Sequence, residues 1–431
     1  MLPWQTRYIF DDGLIDGHIV EYGRLSIYAT QILVWLILAL QLARHVRRGW
    51  VEITVQRITT SLRQPGAQAY WLLVLFIAWT TISLLWAGNQ DAAIRQWFLL
   101  VQGTALASVI ATSAVRFRVI ALAWVVAAAF QGCYALYQFA HQYIAPSTIL
   151  GVAQQVPALS GVSVVQDFDQ RWLRAYGSFP HPNILGGFLS LGLLQGLYLY
   201  ALAKNSWSRT VLMTLTLCIT SGLVVTFSRS AYLATLLGSC VLLITAWIAT
   251  MRTTWRQLLK GMLIVALFAA IMVMIFFEII AVRTSSVAVL EQFSHTQRLT
   301  SIKQAVELFG RHALGGVGVG NAVVALDQQR PNTRAPEPAH NVYVLIATEL
   351  GGVGLFIWLL SIFALLRMVW WCRHASDSVM CAACFVALLI IALFDHYTWT
   401  LYVGIVIWFV VVGLLLKSSS EAKEKADWIG V

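Results

Sequence analysis

Long apolar segments recur along almost the whole chain, and they constrain its fold more than any other feature of the sequence. Hydrophobic residues make up 59% of the chain and charged residues only 11%, whereas a soluble domain is about one quarter charged. An apolar segment of about 20 residues can cross a bilayer as a helix, because a helix satisfies its own backbone hydrogen bonds where lipid offers none. The sequence therefore predicts an all-α, polytopic membrane protein, a bundle of about 11–12 transmembrane helices.

We identify eleven such segments. They are residues 26–43, 69–87, 94–113, 117–139, 183–203, 210–228, 230–250, 258–281, 341–366, 379–394 and 399–416. A polar segment of 59 residues separates the eighth from the ninth, and connections in helix bundles are usually far shorter. The predicted organisation is N-terminal transmembrane helices (1–140), central transmembrane helices with an outer loop (141–281), a long helical extracytoplasmic loop (282–340), and C-terminal transmembrane helices with a cytoplasmic tail (341–431).

Positive charge is distributed unevenly between the loops. The segments 44–68, 114–118, 204–209, 251–260, 367–378 and 417–431 hold 17 of the 29 Lys and Arg but only 5 of the 19 Asp and Glu. With eleven spans they all fall on one face, which is typical of cytoplasmic loops. We therefore predict a multi-pass protein of the cytoplasmic (inner) membrane, with the N-terminus outside and the C-terminus in the cytoplasm. The first 25 residues do not predict a cleavable signal peptide. Topology explains the net charge of +10, so no nucleic-acid partner is expected.

Cations on the predicted outer face run against this charge bias and need another explanation. Arg229 lies between two apolar runs with almost no loop, at a depth where a charge is costly unless it meets a partner or a cavity. A regular apolar spacing over residues 299–309 predicts an amphipathic helix with Arg298 near its N-terminal end. An arginine and free backbone N–H groups could together receive a phosphate there. The alternatives are an Arg229 that reaches lipid phosphate and an Arg298 that is simply solvated. The long loop carries six cations in all: Arg283, Arg298, Lys303, Arg311, Arg330 and Arg334.

Two histidines stand at the start of predicted spans. His340 precedes the ninth span, and an imidazole with the ordinary pKa of about 6.5 can take a proton at neutral pH, so it is the best candidate for a base. His181 lies between two prolines before the fifth span, where a structural role in a rigid helix entry is favoured over a catalytic one. Asn183 is expected to cap that helix or to occupy its first turn. Arg174, upstream, is a candidate phosphate contact.

Three further features have weaker signals. The four glycines of 315–320 predict a packed turn rather than a nucleotide-binding loop, because no strand precedes them and no Lys-Ser/Thr follows. Glu349, inside the ninth span, is expected to be paired or to line a cavity. His396 lies in a short outer turn and is a candidate accessory to His340. Histidines and carboxylates on the outer face show no convincing ligand spacing, so the sequence predicts no metal site, and it predicts no cofactor.

Taken in chain order, these stretches resemble the O-antigen ligase/polymerase superfamily of integral membrane glycosyltransferases. The resemblance covers roughly residues 170–366, and its motifs are Arg174 with Gly177–Asn183, Ser228–Ala231 around Arg229, Arg298 followed by His312–Gly320, and His340–Tyr343 followed by Glu349–Gly354. One departure is Ala313, where family members often have proline. Another is the span count, because ligases commonly show one span more.

The resemblance implies a GT-C-like fold in the lipid bilayer and a metal-independent glycosyl transfer with an extracytoplasmic active site. The donor would be a glycan linked to undecaprenyl diphosphate. Arg229 and Arg298 would bind the diphosphate and stabilise its developing charge, and His340 would position or deprotonate the acceptor hydroxyl. The predicted substrate-binding residues are Arg174, Asn341, His181 and Arg311.

The acceptor stays open at this point. A glycolipid such as the lipid A core would make the protein a ligase, another repeat unit would make it a polysaccharide polymerase, and a protein hydroxyl would make it a protein O-glycosyltransferase. An anion transporter of the bicarbonate type is the alternative from a different class. That alternative predicts broken helices in repeated halves, and we find no clear pair of them in the sequence.

Overall fold

The computed structural model describes residues 4–11, 14–15, 18–19, 24–47, 65–167, 170–284, 289–329 and 337–429. Arg330 and Arg334 of the predicted outer loop lie outside these ranges. The helices of the described residues are α1 Ala29–Arg47, α2 Pro65–Ser83, α3 Gln90–Thr112, α4 Phe117–His141, α5 Pro182–Leu202, α6 Ser206–Val225, α7 Arg229–Ile248, α8 Arg252–Ile275, α9 Phe277–Thr284, α10 Val289–Arg311, α11 Ala322–Gln329, α12 Val342–Trp371, α13 Ser376–Phe394, α14 Tyr397–Thr400 and α15 Tyr402–Ile429. The strands are β1 Arg7–Asp11, β2 Leu14–Ile15, β3 His18–Ile19, β4 Leu25–Tyr28, β5 Val164–Asp167 and β6 Gln170–Leu173, paired as β1–β4, β2–β3 and β5–β6.

Within the described ranges, ten helices are long and apolar enough to cross a membrane. They correspond to the second to eleventh predicted spans. The first predicted span, 26–43, corresponds to α1, whose apolar part Ala29–Arg44 is shorter than the other ten. The prediction of an all-α, multi-pass membrane protein is therefore confirmed.

The chain divides into two compact units, of which the first comprises Met1–Arg7, Val115–Gln297 and Ala382–Ile391. The central helix of this unit is α5, which is buried along almost its whole length. It packs against α4, α6, α7 and α8, and α4 also packs against α6. Gly132 of α4 and Gly222 of α6 approach so closely that a Cβ atom on either would clash with the facing backbone. This is the small-residue packing expected where lipid supplies no hydrophobic drive between helices.

The second unit comprises Tyr8–Ala114, Arg298–Cys381 and Ala392–Val431. In it, α15 packs along α3 and α12 packs along α2.

A backbone break in α12 positions the glycine-rich segment of this unit. Gly351 has φ 69° and ψ −174°, a conformation open essentially to glycine alone. Beside the break, the Gly318 N–H donates to the Glu349 carbonyl at 2.9 Å, and the Gly352 N–H donates to the Ala313 carbonyl at 2.7 Å. The glycines of 315–320 therefore form the packed turn that the sequence predicts.

The predicted outer loop, 282–340, is largely helical in its described part, with the end of α9, then α10 and α11. One expectation about it is wrong. Arg298 does not lie near a helix N-terminus, because α10 already begins at Val289. Residues 294–297 are polar and give no apolar repeat, yet they continue the helical backbone, so periodicity alone places the start too late. Backbone N–H groups at a helix start therefore do not assist Arg298.

Candidate active site

Arg229 is held by one of the tightest connections in the first unit. It is the first residue of α7, and only residues 226–228 separate it from the end of α6. Phe227 in this turn has φ 48°, a left-handed conformation that is uncommon for a non-glycine residue, and its side chain is buried. The Arg229 side chain is exposed. The prediction of an arginine with almost no loop around it is confirmed.

Two buried arginines hold this turn from either side. The Nε of Arg174 donates to the Thr226 carbonyl at 2.8 Å, and the Nε of Arg283 donates to the Phe227 carbonyl at 3.2 Å. Their side chains are 4% and 7% exposed. A buried guanidinium is costly unless it is hydrogen-bonded or paired, so these contacts fix both the arginines and the strained backbone between them. The position of Arg229 follows from that turn.

The entry to α5 is equally constrained. His181 caps the helix: its Nδ1 accepts from the Asn183 N–H at 3.1 Å, and its Nε2 lies 3.0 Å from the Ser163 Oγ. Because Nδ1 accepts a backbone N–H, the ring proton of neutral His181 sits on Nε2 and is donated to Ser163. Asn183 occupies the first turn, as predicted, and its Oδ1 accepts from the Arg174 Nη2 at 2.7 Å. The structural role favoured for His181 is confirmed, and its contact with a substrate stays a prediction.

Buried glutamines of α4 satisfy the irregular chain that leads to this entry. The Gln138 Oε1 accepts from the N–H groups of Tyr176 and Gly177 at 3.1 and 2.8 Å, and the Gln131 Oε1 accepts from the Ser178 N–H at 2.9 Å. A buried backbone without such partners would be destabilising. The chain around Arg174 is therefore a fixed part of the first unit.

In the second unit, His340 lies between two carboxylates. Its Nε2 is 3.9 Å from Glu337 and its Nδ1 is 3.8 Å from Asp395. These are ion-pair separations, longer than hydrogen bonds. Burial lowers the pKa of His340, but Asp395 and Glu337 outweigh it and raise the pKa to about 9. His340 is therefore expected to be a cation at neutral pH. The sequence alone predicts only the ordinary histidine pKa of about 6.5.

Arg298 belongs to the same group of side chains. Its positive charge acts on both His340 and His396, and lowers the pKa of each. Two of the predicted catalytic residues, Arg298 and His340, therefore lie within electrostatic range of each other in the second unit. Arg229 belongs to the first unit, and its convergence with this pair stays a prediction.

His396 lies beside His340, with ring centroids 4.9 Å apart and ring planes at 68°. Its Nδ1 is 2.6 Å from the Thr400 Oγ1, and its backbone N–H donates to the Asp395 Oδ1 at 2.8 Å. Burial and the charge of His340 lower its pKa to about 4. At neutral pH the two neighbouring imidazoles therefore have different charges, with His340 positive and His396 neutral.

Asn341 connects the parts of the chain that form this group. Its Oδ1 accepts from the Val344 N–H at 3.1 Å and caps α12, while its Nδ2 donates to the Leu393 carbonyl at 3.1 Å, near the end of α13. Asp395 is thereby held close to His340. Both ends of the Asn341 amide are engaged, and its substrate contact stays a prediction. Arg311 is exposed at the end of α10, where the helix dipole favours a cation. Its contact with the substrate also stays a prediction.

Glu349 ties α14 to the glycine-rich turn. Its Oε2 accepts from the Gly320 N–H and from the Trp399 Nε1, each at 2.9 Å. The carboxylate is buried and paired, as predicted. Since α14 runs from Tyr397 to Thr400, this contact also fixes the helix that follows His396.

One set of side chains in the described part of the chain could hold a metal ion. His340, Asp395 and His396 each offer a ligand atom, and these atoms lie within 4.8 Å of one another. An imidazole must be deprotonated to bind a metal, and His340 faces a carboxylate on each side, so a metal ion and the ring proton would compete for this group. Metal independence stays a prediction.

Sequence reasoning missed Glu337 and undervalued Asp395. Glu337 stands three residues before His340, close enough in sequence to have been tested as its partner. Asp395 precedes His396 in the short turn already noted, but no local pattern joins that turn to residues 337–340. Tertiary contacts bring the two stretches together, among them the hydrogen bond from Asn341 to the Leu393 carbonyl.

Comparison with known families gives a match for about a third of the chain. Residues 213–359 match the family profile described as O-antigen ligase. This region contains Arg229, Arg298 and His340, whereas Arg174 and His181 precede it. The chain matches no curated protein. Residues 213–359 are thus similar to the O-antigen ligase family, and this similarity supports a multi-pass membrane protein of the ligase/polymerase type.

Proposed function

We propose that the protein transfers a glycan from undecaprenyl diphosphate to an acceptor hydroxyl at the outer face of the cytoplasmic membrane, without a metal ion. The observation that carries this proposal is the group of Arg298, His340 and His396 with their carboxylates, in which His340 stands just before the membrane-length helix α12. A lipid-linked diphosphate needs apolar helices for its tail, cations at headgroup level, and polar groups beside the reacting sugar.

The arginines are assigned to the leaving group. As the bond from the anomeric carbon to the diphosphate breaks, negative charge accumulates on the phosphate oxygens. A preorganised donor aimed at such a charge contributes about 3 kcal/mol to the lowering of the barrier, and arginine does so through paired N–H groups. Arg298 and Arg229 are the residues proposed for this contact.

His340 is assigned to the acceptor. As a cation it donates N–H groups and can hold the acceptor oxygen in line with the anomeric carbon. Direct attack by that oxygen would invert the configuration of the anomeric carbon. The acceptor itself distinguishes a ligase from a polymerase or a protein O-glycosyltransferase, and the glycan lost on deletion of the gene identifies it.

Reconstitution in proteoliposomes with an undecaprenyl-diphosphate-linked glycan and candidate acceptors tests the proposal. Arg298→Ala and His340→Ala are each expected to lower transfer about 100-fold. Lys303→Ala is the matched control for Arg298, because Lys303 is an exposed cation on the same helix. Near-wild-type transfer by Arg298→Ala or His340→Ala would refute the assignment.

Arg229 has its own matched control. Arg252 is likewise the first residue of a membrane-length helix, α8, and is exposed, but it belongs to a segment predicted to be cytoplasmic. Arg229→Ala is expected to lower transfer about 100-fold, whereas Arg252→Ala should not. Equal losses in both variants would show that a charge at a helix start matters for folding, not for the diphosphate. Vesicles that accumulate an anion without glycan transfer would instead support the transporter.

A further inference from the structure

We propose that α10 is an interfacial helix, whose exposed apolar stripe lies in the outer leaflet of the bilayer. The apolar stripe consists of Leu299, Ile302, Val306 and Phe309. The partner that it contacts is the phospholipid of that leaflet. This contact does not require the transfer reaction, and only its consequence for Arg298 rests on the function proposed above.

The apolar stripe is not the face with which α10 packs against the protein. The spacing of these residues predicts an amphipathic helix, and such a stripe usually faces the protein core. In the structure, Leu299 and Val306 are 49% and 51% exposed. Among residues 298–311, the buried side chains are instead Ser301, Ala305 and Leu308. The residues that give the helix its apolar periodicity are therefore left largely uncovered by the second unit.

The surface of α10 divides into three faces. The packed face meets the glycine-rich turn and α11, where Leu308 contacts Val317 and Leu326. A charged face carries the exposed residues Lys303, Glu307 and Arg311. At 3.6 residues per turn, the packed face, the apolar stripe and the charged face lie about a third of a turn apart. Such a helix can meet protein, lipid and water at the same time, as helices at a membrane interface do.

The packed face meets α12 at the depth of the membrane interface. The Thr348 Oγ1 donates to the Ala305 carbonyl at 3.1 Å, and Thr348 lies about 9 Å along α12 from its first residue, Val342. The 30 residues of α12 span about 45 Å, which exceeds the hydrocarbon core of about 30 Å by about 7 Å at each end. The contact between α10 and α12 therefore falls close to the boundary between headgroups and acyl chains.

The residue that follows α10 reaches deeper along the same helix. Leu314 is 79% exposed, and its carbonyl accepts from the Val353 N–H at 3.4 Å. Val353 begins an exposed apolar face of α12 that continues with Phe356, Leu360 and Phe363. In a membrane-spanning helix such a face is covered by lipid. The exposed apolar surface at the end of α10 is therefore continuous with a surface that lipid already covers.

A tryptophan marks the same level on α2. The glycine-rich turn packs against Trp86, because a Cβ on Gly315 would lie 3.3 Å from its ring. Trp86 is partly exposed, and its neighbour Leu85 is 84% exposed. Tryptophan is enriched where a membrane helix meets the headgroups. Both membrane helices beside the end of α10 therefore indicate that this end lies at the interface.

The contact with lipid has a consequence for Arg298. Along the helix surface, Arg298 lies between the packed face and the apolar stripe, and it is partly exposed. With the apolar stripe in the acyl region, a long side chain at its border extends to the phosphate groups. The diphosphate of a lipid-linked donor lies at that same level. The bilayer itself thus sets the depth of the arginine assigned to the leaving group.

Spin labels on two adjacent residues test the contact in the full-length protein. Val306→Cys places a label on the apolar stripe, and Glu307→Cys places one on the charged face as the matched control. Both variants carry serine in place of the six native cysteines. The protein is held in nanodiscs of phosphatidylethanolamine and phosphatidylglycerol, without donor. Collision rates are measured with oxygen, which partitions into lipid, and with a nickel chelate, which stays in water. The ratio of oxygen to nickel collisions is expected to be at least about fivefold higher at position 306 than at position 307.

Each other outcome overturns the contact with lipid. Equal ratios at the two positions would show that the apolar stripe is in water. Low collision rates with both reagents at position 306 would show that protein covers it, as in a dimer of this chain. Leu299→Cys, on the same apolar stripe, should repeat the result of Val306→Cys, so that a local distortion at one position does not decide the test.

A transfer assay separates the contact from its consequence. Val306→Glu is expected to lower glycan transfer about tenfold, because it disturbs the depth at which Arg298 is held, whereas Glu307→Ala should leave transfer unchanged. Full transfer by Val306→Glu would refute the positioning of Arg298 by the bilayer. Wild-type protein that transfers no glycan refutes the proposed function, while the spin-label ratios still decide whether α10 lies in the leaflet.

Discussion

The charge of His340 depends on Asp395, and the substitution Asp395→Asn tests that dependence directly. Asparagine is nearly the same size as aspartate, and its Oδ1 can still accept the backbone N–H of His396, which Asp395 binds at 2.8 Å. The substitution therefore removes a negative charge while it leaves the local turn in place. It isolates the electrostatic part of the contact between Asp395 and His340, whose atoms are 3.8 Å apart.

The expected change in the pKa of His340 follows from the burial of its ring and from the charges around it. The pKa of His340 is raised from 6.5 to about 9, and this difference corresponds to about 3 kcal/mol. Burial and Arg298 lower the pKa, and Asp395 and Glu337 raise it. With Asp395 neutralised, only Glu337 opposes the other two, so the pKa should fall by more than about one unit. A raised histidine pKa stabilises the fold fully below pH 6.5, and this contribution is lost as pH rises through about 9.

NMR titration of isotopically labelled histidine in lipid nanodiscs measures this pKa without reference to activity, and a His340→Gln variant assigns the signal. Asp377→Asn is the matched control, because Asp377 is a buried carboxylate at the opposite end of α13. The control should leave the pKa of His340 unchanged. The reasoning is refuted if wild-type His340 titrates near 6.5, or if Asp395→Asn leaves its pKa where the wild type has it.

Glycan transfer should be lost as pH rises through about 9, because His340 then loses its proton (pKa about 9); activity that first appears above pH 9 would make His340 the base. Gly351→Ala should lower the free energy of unfolding by about 1–3 kcal/mol, because its φ is 69° and a Cβ would clash with Leu314. Gly310→Ala, in an open helical position, should be neutral or slightly stabilising in the same thermal unfolding assay. Transfer should survive exhaustive chelation, and a loss restored by a divalent cation would point to the group of His340, Asp395 and His396.

The architecture was largely predictable because each span is encoded locally. A run of about 20 apolar residues specifies a membrane-length helix whatever its neighbours are, and ten such helices occur in the described ranges. Local chemistry also sufficed for the α5 entry, where two prolines around His181 predict a rigid start, and for the four glycines at 315–320. In both places the information lies within a few consecutive residues.

The candidate site was less predictable because it depends on contacts between distant stretches. Arg298 and His340 stood out as charged groups beside apolar runs, but nothing local shows that Asp395 reaches His340. The prediction that His340 is a base assumed an ordinary pKa, and two carboxylates reverse that assumption. The start of α10 was missed for a local reason. Residues 294–297 are helical although they have no apolar repeat.

The turn before α7 combines several energetically unfavourable features, and it holds a cation in place. Arg229 stands at the start of a helix, where the dipole favours an anion over a cation. Phe227 holds an uncommon backbone conformation, and the desolvated side chains of Arg174 and Arg283 are committed to the carbonyls of that same turn. A turn needed only to join two membrane helices could omit all three features. An anionic ligand that engages Arg229 and the N–H groups at the start of α7 would complement the helix dipole, which is why we propose this turn as a diphosphate contact.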